Sequence, residues 1–257
     1  TAINTIYKPG VDALRFNLAL GPLSGIEVVR VAGFQENGEP NWARSALLAR
    51  ANTVLWDFEW ALIGGKLSER WVAGGSLQGD IGPLNLRAEG HAGFADQDAD
   101  GTLDEGDVRP TGRDDVHVRV AGGIDVPFEW HNASIAAEYA LISDGADEPD
   151  GYIGRAMRYF PDDPTFLGQH YVGAAVGGEI IPILRATVSG ILNPADHSGL
   201  VMTSLMLSVS DESDFVAGVL VPWGKAPTEP APPAMVEVES EFGLMPVMGF
   251  VESRFYF

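Results

Sequence analysis

The chain has 257 residues, 46% of them hydrophobic, and a formal net charge of −20 from 36 acidic against 16 basic residues. So acidic a composition argues against nucleic acid as a partner, because neutralising phosphate takes clustered Lys and Arg, and the hydrophobic fraction rules out a disordered chain. The absence of Cys excludes a disulfide framework and a thiolate metal site. No apolar run reaches the roughly 20 residues of a transmembrane helix.

Two further biases point the same way. The bases are 13 Arg and only three Lys (Lys8, Lys66 and Lys225), a skew toward geometrically fixed rather than solubilising cations. Glycine is enriched, at 31 residues, and stretches with helical apolar spacing and caps are scarce, so the chain reads as all-β. Thr1 follows no charged-then-apolar leader within the sequence, which leads us to expect that a signal peptide has been removed.

Strict alternation of apolar and polar residues is the main signal, and it recurs in segments of about ten residues. In chain order the candidate strands are 12–20, 26–34, 45–55, 58–66, 70–81, 84–94, 116–126, 134–143, 171–180, 184–193, 200–210, 215–223 and 245–257. The sixth and seventh are the clearest. Leu84, Leu86, Ala88, Gly90, Ala92 and Phe94 oppose Asn85, Arg87, Glu89, His91 and Gly93, and Val116, Val118 and Val120 oppose His117 and Arg119. Short connections at 21–25, 56–57, 82–83, 129–133, 181–183 and 211–214 alternate with mostly longer polar loops at 35–44, 95–115, 144–170, 194–199 and 224–244, the 67–69 link being the exception.

Short turns at one rim, long loops at the other and strands of this length predict an antiparallel transmembrane β-barrel, apolar toward lipid and polar toward a lumen. The chain ends Val251-Glu252-Ser253-Arg254-Phe255-Tyr256-Phe257, alternating into a terminal aromatic residue. This ending resembles the last-strand signal of bacterial outer-membrane barrels, and the whole chain is similar to the porin-like barrels of Gram-negative bacteria. The resemblance implies a bacterial outer-membrane location, periplasmic short turns, acidic extracellular loops, and lipid and lipopolysaccharide as partners. Chain parity then asks for an upward strand before residue 12. Residues 1–8 would supply it, giving about 14 strands in one domain over 1–257, or earlier strands lie on a separate segment.

The sharpest motif is Asp96-Gln-Asp98-Ala-Asp100-Gly101-Thr102-Leu-Asp104-Glu-Gly-Asp107. Oxygen donors at positions 1, 3, 5, 7 (through the Thr102 carbonyl), 9 and 12 around a Gly at 6 suit a hard cation with six or seven ligands. The spacing resembles the EF-hand calcium loop, departing from it in the shorter Asp107 and in the lack of flanking helices. The expectation is one structural Ca2+ ordering the 95–115 loop; the alternative is a solvated acidic loop. Residues 95–115 carry eight acids and 144–163 carry six, and the Ala226–Ala234 stretch, with Pro227, Pro230, Pro232 and Pro233, is expected to be stiff and extended.

On the inferred lumen face lie Arg15, Arg50, Arg70, Arg87, Arg119, Arg185 and Arg254 beside Glu59, Asp80, Glu89, Asp125, Glu138, Glu179 and Glu252, with His91 and His117 as further pore-wall residues. Such ladders either set a transverse field that selects solutes or neutralise one another as salt bridges. Strands 200–210 and 215–223 are apolar on nearly both faces, with Met202, Met206, Val216, Leu220 and Pro222 left for a plug, a partner strand or an apolar ligand. The five His are scattered, and no Gly-x-Ser-x-Gly elbow occurs, so no catalytic set can be assembled. Three readings follow: a porin-like channel for passive diffusion of small polar solutes; a structural or assembly barrel that anchors partners or completes a larger pore with another polypeptide; and a soluble calcium-stabilised β-sandwich.

Overall fold

The computed structural model describes residues 12–35, 37–67, 70–95, 116–159, 166–228 and 237–256. The strands are β1 (Ala13–Gly21), β2 (Ser24–Val31), β3 (Ala46–Leu55), β4 (Phe58–Leu67), β5 (Arg70–Ile81), β6 (Leu84–Ala95), β7 (Val116–Phe128), β8 (Ala133–Ile142), β9 (His170–Ile181), β10 (Leu184–Asn193), β11 (Ser198–Ser210), β12 (Ser213–Trp223) and β13 (Met248–Phe255). Among the described residues one helix of eight residues, α1 (Tyr152–Tyr159), lies in the β8–β9 loop, and short 3-10 turns sit at 130–132, 149–151 and 242–244.

All thirteen strands form one sheet whose order is the order of the chain, β1 through β13. A single sheet leaves no partner for a sandwich, so the third sequence reading falls. The expected strand at residues 1–8 lies outside the described residues, and thirteen of the expected fourteen strands are present. The last begins at Met248 rather than 245, with three residues between it and a 3-10 turn at Phe242–Leu244.

By its contacts the chain divides into two units, residues 1–76 with 91–108 and residues 77–90 with 109–257. In the first unit, the rows that cross β1 to β4 alternate in character. Leu18, Ile26, Ala51 and Leu62 share one face, and Asn17, Glu27, Arg50 and Ile63 the other. In the second unit, Val126, Ile135, Val176, Val188, Thr203, Val219 and Gly249 form one row, while Asp125, Ala136, Ala175, Ser189, Met202, Leu220 and Met248 form its neighbour on the opposite face. Directly paired residues in antiparallel ladders project to the same side, so register alone separates an apolar wall from a mixed one.

The apolar wall is uncovered. Ile135 is 51% exposed, Val176 47% and Leu205 48%. A monomer in water rarely leaves so much contiguous apolar surface bare, whereas a lipid-facing strand requires it. The six Trp fall at strand ends or in the turns and loops that follow: Trp56, Trp60 and Trp130 at the short-turn ends, and Trp42, Trp71 and Trp223 at the long-loop ends. Amphipathic indoles favour the two membrane–water interfaces, and strands of 8–13 residues fit the distance between them.

The short turns are locally specified. Trp56 and Asp57 both have positive φ, 54° and 65°, as a two-residue type I′ hairpin demands. On β4, Gly65 has φ +145°, and a Cβ there would collide with the Leu47 carbonyl oxygen, so only glycine fits. The next residue, Lys66, is fully buried; its Nζ donates to the Trp42 carbonyl at 2.8 Å and lies 4.8 Å from the Trp42 ring centroid.

Candidate functional site

The face opposite the apolar wall carries the charges, and much of what the alternation predicts is brought together there. In the first unit, Arg15 pairs with Glu27 at 2.7 Å and Arg50 approaches Glu59 at 3.8 Å. Glu27 is absent from the sequence-derived set. Its strand starts at Ser24 instead of the expected 26, in a stretch where Glu27 is followed by Val28 and Val29 and alternation is weak.

In the second unit, Arg87 on β6 donates to Glu138 on β8 at 2.8 Å. The pair spans β7 above Gly123, where a Cβ would stand 3.2 Å from Arg87 Nε and 3.5 Å from Glu138 Cγ. Glycine thus opens the gap the ion pair crosses. Alongside, Asn85 donates to Asp125 at 2.6 Å. Glu179 stands opposite Arg185 in the β9–β10 register, and Arg254 makes two bonds to Glu252, at 2.9 and 3.1 Å. Arg70 and Asp80 lie on β5, Glu89 and His91 on β6, His117 and Arg119 on β7, with Arg119 in register with Ile142. The side chains of the Arg87–Glu138 pair are 54% and 45% exposed, so the ions face open space rather than a packed interior.

The metal residues expected from the sequence, Asp96, Asp98, Asp100, Thr102, Asp104 and Asp107, lie outside the described residues. Among the described residues no cluster of three or more His, Asp or Glu could hold a metal.

What the sequence reading missed is that the described parts of two long loops, around Phe166 and Phe242, fold back onto the charged face. Phe242 is buried against Tyr171 and Ile142, with Ala140, Phe166, Ile191 and Leu200 packed around them. Ala140 pairs with Tyr171, and Ile191 with Leu200; the second pair lies in the row that carries Glu138 and the first in the neighbouring row of Ala121 on the same face, at the long-loop ends of their strands. Two loop aromatics, Phe166 and Phe242, therefore seal that end of the inner face. Both stand in loops that hold other apolar residues as well, and without a neighbouring strand nothing in the sequence marks which of them pack.

Beneath the seal is a buried polar network. Glu241 Oε1 accepts from the Leu167 amide at 2.7 Å, and Oε2 accepts from the Tyr171 hydroxyl at 2.6 Å and Asn193 Nδ2 at 2.9 Å. Asp196 Oδ2 accepts from the Glu241 amide at 2.7 Å and the Tyr152 hydroxyl at 2.9 Å, and its Oδ1 accepts from the Ser198 amide at 2.8 Å. Asn193 also donates to the Tyr152 oxygen at 2.8 Å. Burial, and then the hydrogen bond to Asp196, hold the Tyr152 phenol well above its ordinary pKa. Arg155 on α1, 3% exposed, reaches Asp144 Oδ2 at 3.2 Å and donates to the carbonyls of Phe166, at 3.0 Å, and Asp144. The Glu241 and Asp196 carboxylates are each met by three donors, which is what keeps a buried charge from being strongly destabilising.

Comparison with known proteins matches the fold alone. No protein-family description and no curated protein matches the chain. Among solved structures, the crystal structure of Acinetobacter baumannii OccAB4 is similar, with a TM-score of 0.51 at 14% identity over 81% of this chain. The chain spans 60% of the length of that protein. The likeness and the thirteen-stranded antiparallel sheet together give this chain the architecture of a porin-like β-barrel.

Proposed function

We propose that the chain works in the bacterial outer membrane as a porin-like channel for passive diffusion of small polar solutes, and not as an enzyme. The observation that carries this reading is the division of the sheet into a bare apolar face and an opposite face that carries the half-exposed ion pairs. Lipid satisfies the first and water the second. Lipid and lipopolysaccharide are then its surroundings, and the half-exposed ladders of Arg and Glu bias permeation toward small polar molecules. Calcium bound by Asp96, Asp98, Asp100, Thr102, Asp104 and Asp107 would be structural, since a filled carboxylate cage offers no open position to a solute. Purified protein added to a planar bilayer should produce stepwise conductance; a preparation folded in lipid that conducts nothing would end this reading.

A second reading is favoured by the ends of the strand order. β1 and β13 are the terminal strands, and an edge left in lipid would leave backbone groups unsatisfied at several kcal/mol each. Residues 1–8 or another polypeptide would have to pair there, the latter making this chain one part of a larger pore or an anchoring barrel. A crosslink between cysteines placed at Ile3 or Ile6 and at Val251 or Ser253 would favour closure by the chain itself. Failure in every register, together with a co-purifying polypeptide, would favour the larger assembly.

A further inference from the structure

We propose that Glu241 is a latch that holds residues 166–169 of the β8–β9 loop and 237–244 of the β12–β13 loop against the charged face, so that these loop segments, rather than the strands, set how much passes. The proposal rests on the channel reading above and names the residue that positions its constriction. Three connections at the long-loop side meet at this one residue. Leu167 belongs to the loop between β8 and β9, Asn193 ends β10 just before Asp196 in the next loop, and Glu241 itself stands in the loop between β12 and β13. Tyr171, the third donor, projects from the inner face of β9. Loop and wall are therefore tied at a single side chain, on a residue 7% exposed.

The neighbouring residues make the tie specific. Phe242 follows immediately and is 4% exposed among Tyr171, Ile142 and Leu200; its amide donates to Ser198 Oγ at 3.2 Å. Ser240 precedes it, 1% exposed, and donates to the Lys225 carbonyl at 2.8 Å. Without the carboxylate, the Leu167 amide, Tyr171 hydroxyl and Asn193 amide lose an acceptor at once, and an unmet buried donor is more costly than the same group in water. Release of the loop is how those donors regain partners. The strand ion pairs Arg15–Glu27, Arg50–Glu59, Arg87–Glu138 and Arg254–Glu252 play no part in this, because each is made within the wall.

The test places a reporter thiol by Leu167→Cys in the full chain, a site whose bond to Glu241 is made by the backbone amide, alone and together with Glu241→Ala or Glu241→Gln, and studies all three proteins in vesicles and planar bilayers. A membrane-impermeant maleimide should label the introduced thiol slowly when Glu241 is present. It should label at least about tenfold faster in Glu241→Ala, since loss of even one charge-assisted bond is enough for that change in opening. Single-channel conductance should rise in the same variant. Glu241→Gln can still accept from two of the three donors and should fall between, which keeps the test usable if the alanine variant does not fold. Equal labelling in all three proteins overturns the latch. Faster labelling at unchanged conductance overturns the claim that the loops set permeation. If no protein conducts, the channel reading fails by itself, and the labelling rates still decide the latch.

Discussion

Replacing Val176 by Arg tests the membrane reading at its most demanding point. Val176 lies midway along β9, in register with Ile135 and Val188 on the bare apolar wall, and is 47% exposed. In a protein surrounded by water, a substitution at so open a site changes stability by about 0.5 kcal/mol or less. Against the bilayer midplane the same Arg costs about 2–4 kcal/mol, a factor of roughly 30 to 800 in the folding equilibrium. Ser189→Arg is the internal control, since Ser189 lies on the opposite face between Ala175 and Met202, where a guanidinium meets the wet side. Val221→Arg, two residues from Trp223 at the end of β12, should cost about 0–1 kcal/mol because the penalty decays toward the interface. Equilibrium unfolding in denaturant from lipid vesicles, followed by Trp fluorescence, measures all three. If Val176→Arg were no more destabilising than Ser189→Arg, the apolar wall would not face lipid and the barrel argument would collapse.

Further outcomes follow from the charged face and its loops. Arg87→Ala should lower stability by under about 1 kcal/mol, because the pair with Glu138 is half-exposed and such pairs contribute little, yet should shift the reversal potential in a salt gradient toward cations; an unchanged potential would place the pair off the permeation path. The Tyr152 phenol ionises at a higher pH in the folded protein than when unfolded. The unfolded chain therefore loses that proton first as pH rises past about 10, and stability should fall from there upward, a loss that Tyr152→Phe should diminish in alkaline melting curves. Calorimetric titration with calcium should give heat with the native chain and little with Asp98→Ala plus Asp100→Ala; matching heats would leave 95–115 a solvated acidic loop. In proteolysis, Arg155→Ala should expose the β8–β9 loop to early cleavage, since the guanidinium is bonded to both Asp144 and Phe166; a digestion pattern like that of the native chain would contradict its bracing role.

How legible the architecture was depends on which physics wrote it. Alternation at Leu84–Phe94 or Val116–Val126 needs only that one side of a strand meet an apolar medium, so it reads directly from the chain. The facing of Arg87 and Glu138 followed from the same parity; that they meet across Gly123 did not, because pairing between strands separated in sequence by a long loop depends on register. Glu241, Asp196 and Asn193 were opaque for a different reason. In sequence Glu241 and Asp196 are polar residues in loops and Asn193 is the last residue of a strand, and their burial exists only once Tyr171 and Tyr152 are brought against them. Helix α1 escaped notice because eight residues, with Gly154 among them, are too short a run to stand out from the loop around it.

The order of the sheet bears on how such a chain can change over evolutionary time. Each strand is bonded only to its neighbours in sequence, so the hairpin is a detachable module. Duplication or loss of one hairpin changes the circumference by two strands while leaving every other ladder with its original partner. The loop latch, by contrast, ties together segments from Leu167 to Glu241 and would not survive removal of β10 or β11. Gain and loss of hairpins should therefore be tolerated among β1 to β7 and resisted from β8 to β12, giving one protein an adaptable half and a half whose composition is frozen by its own mouth.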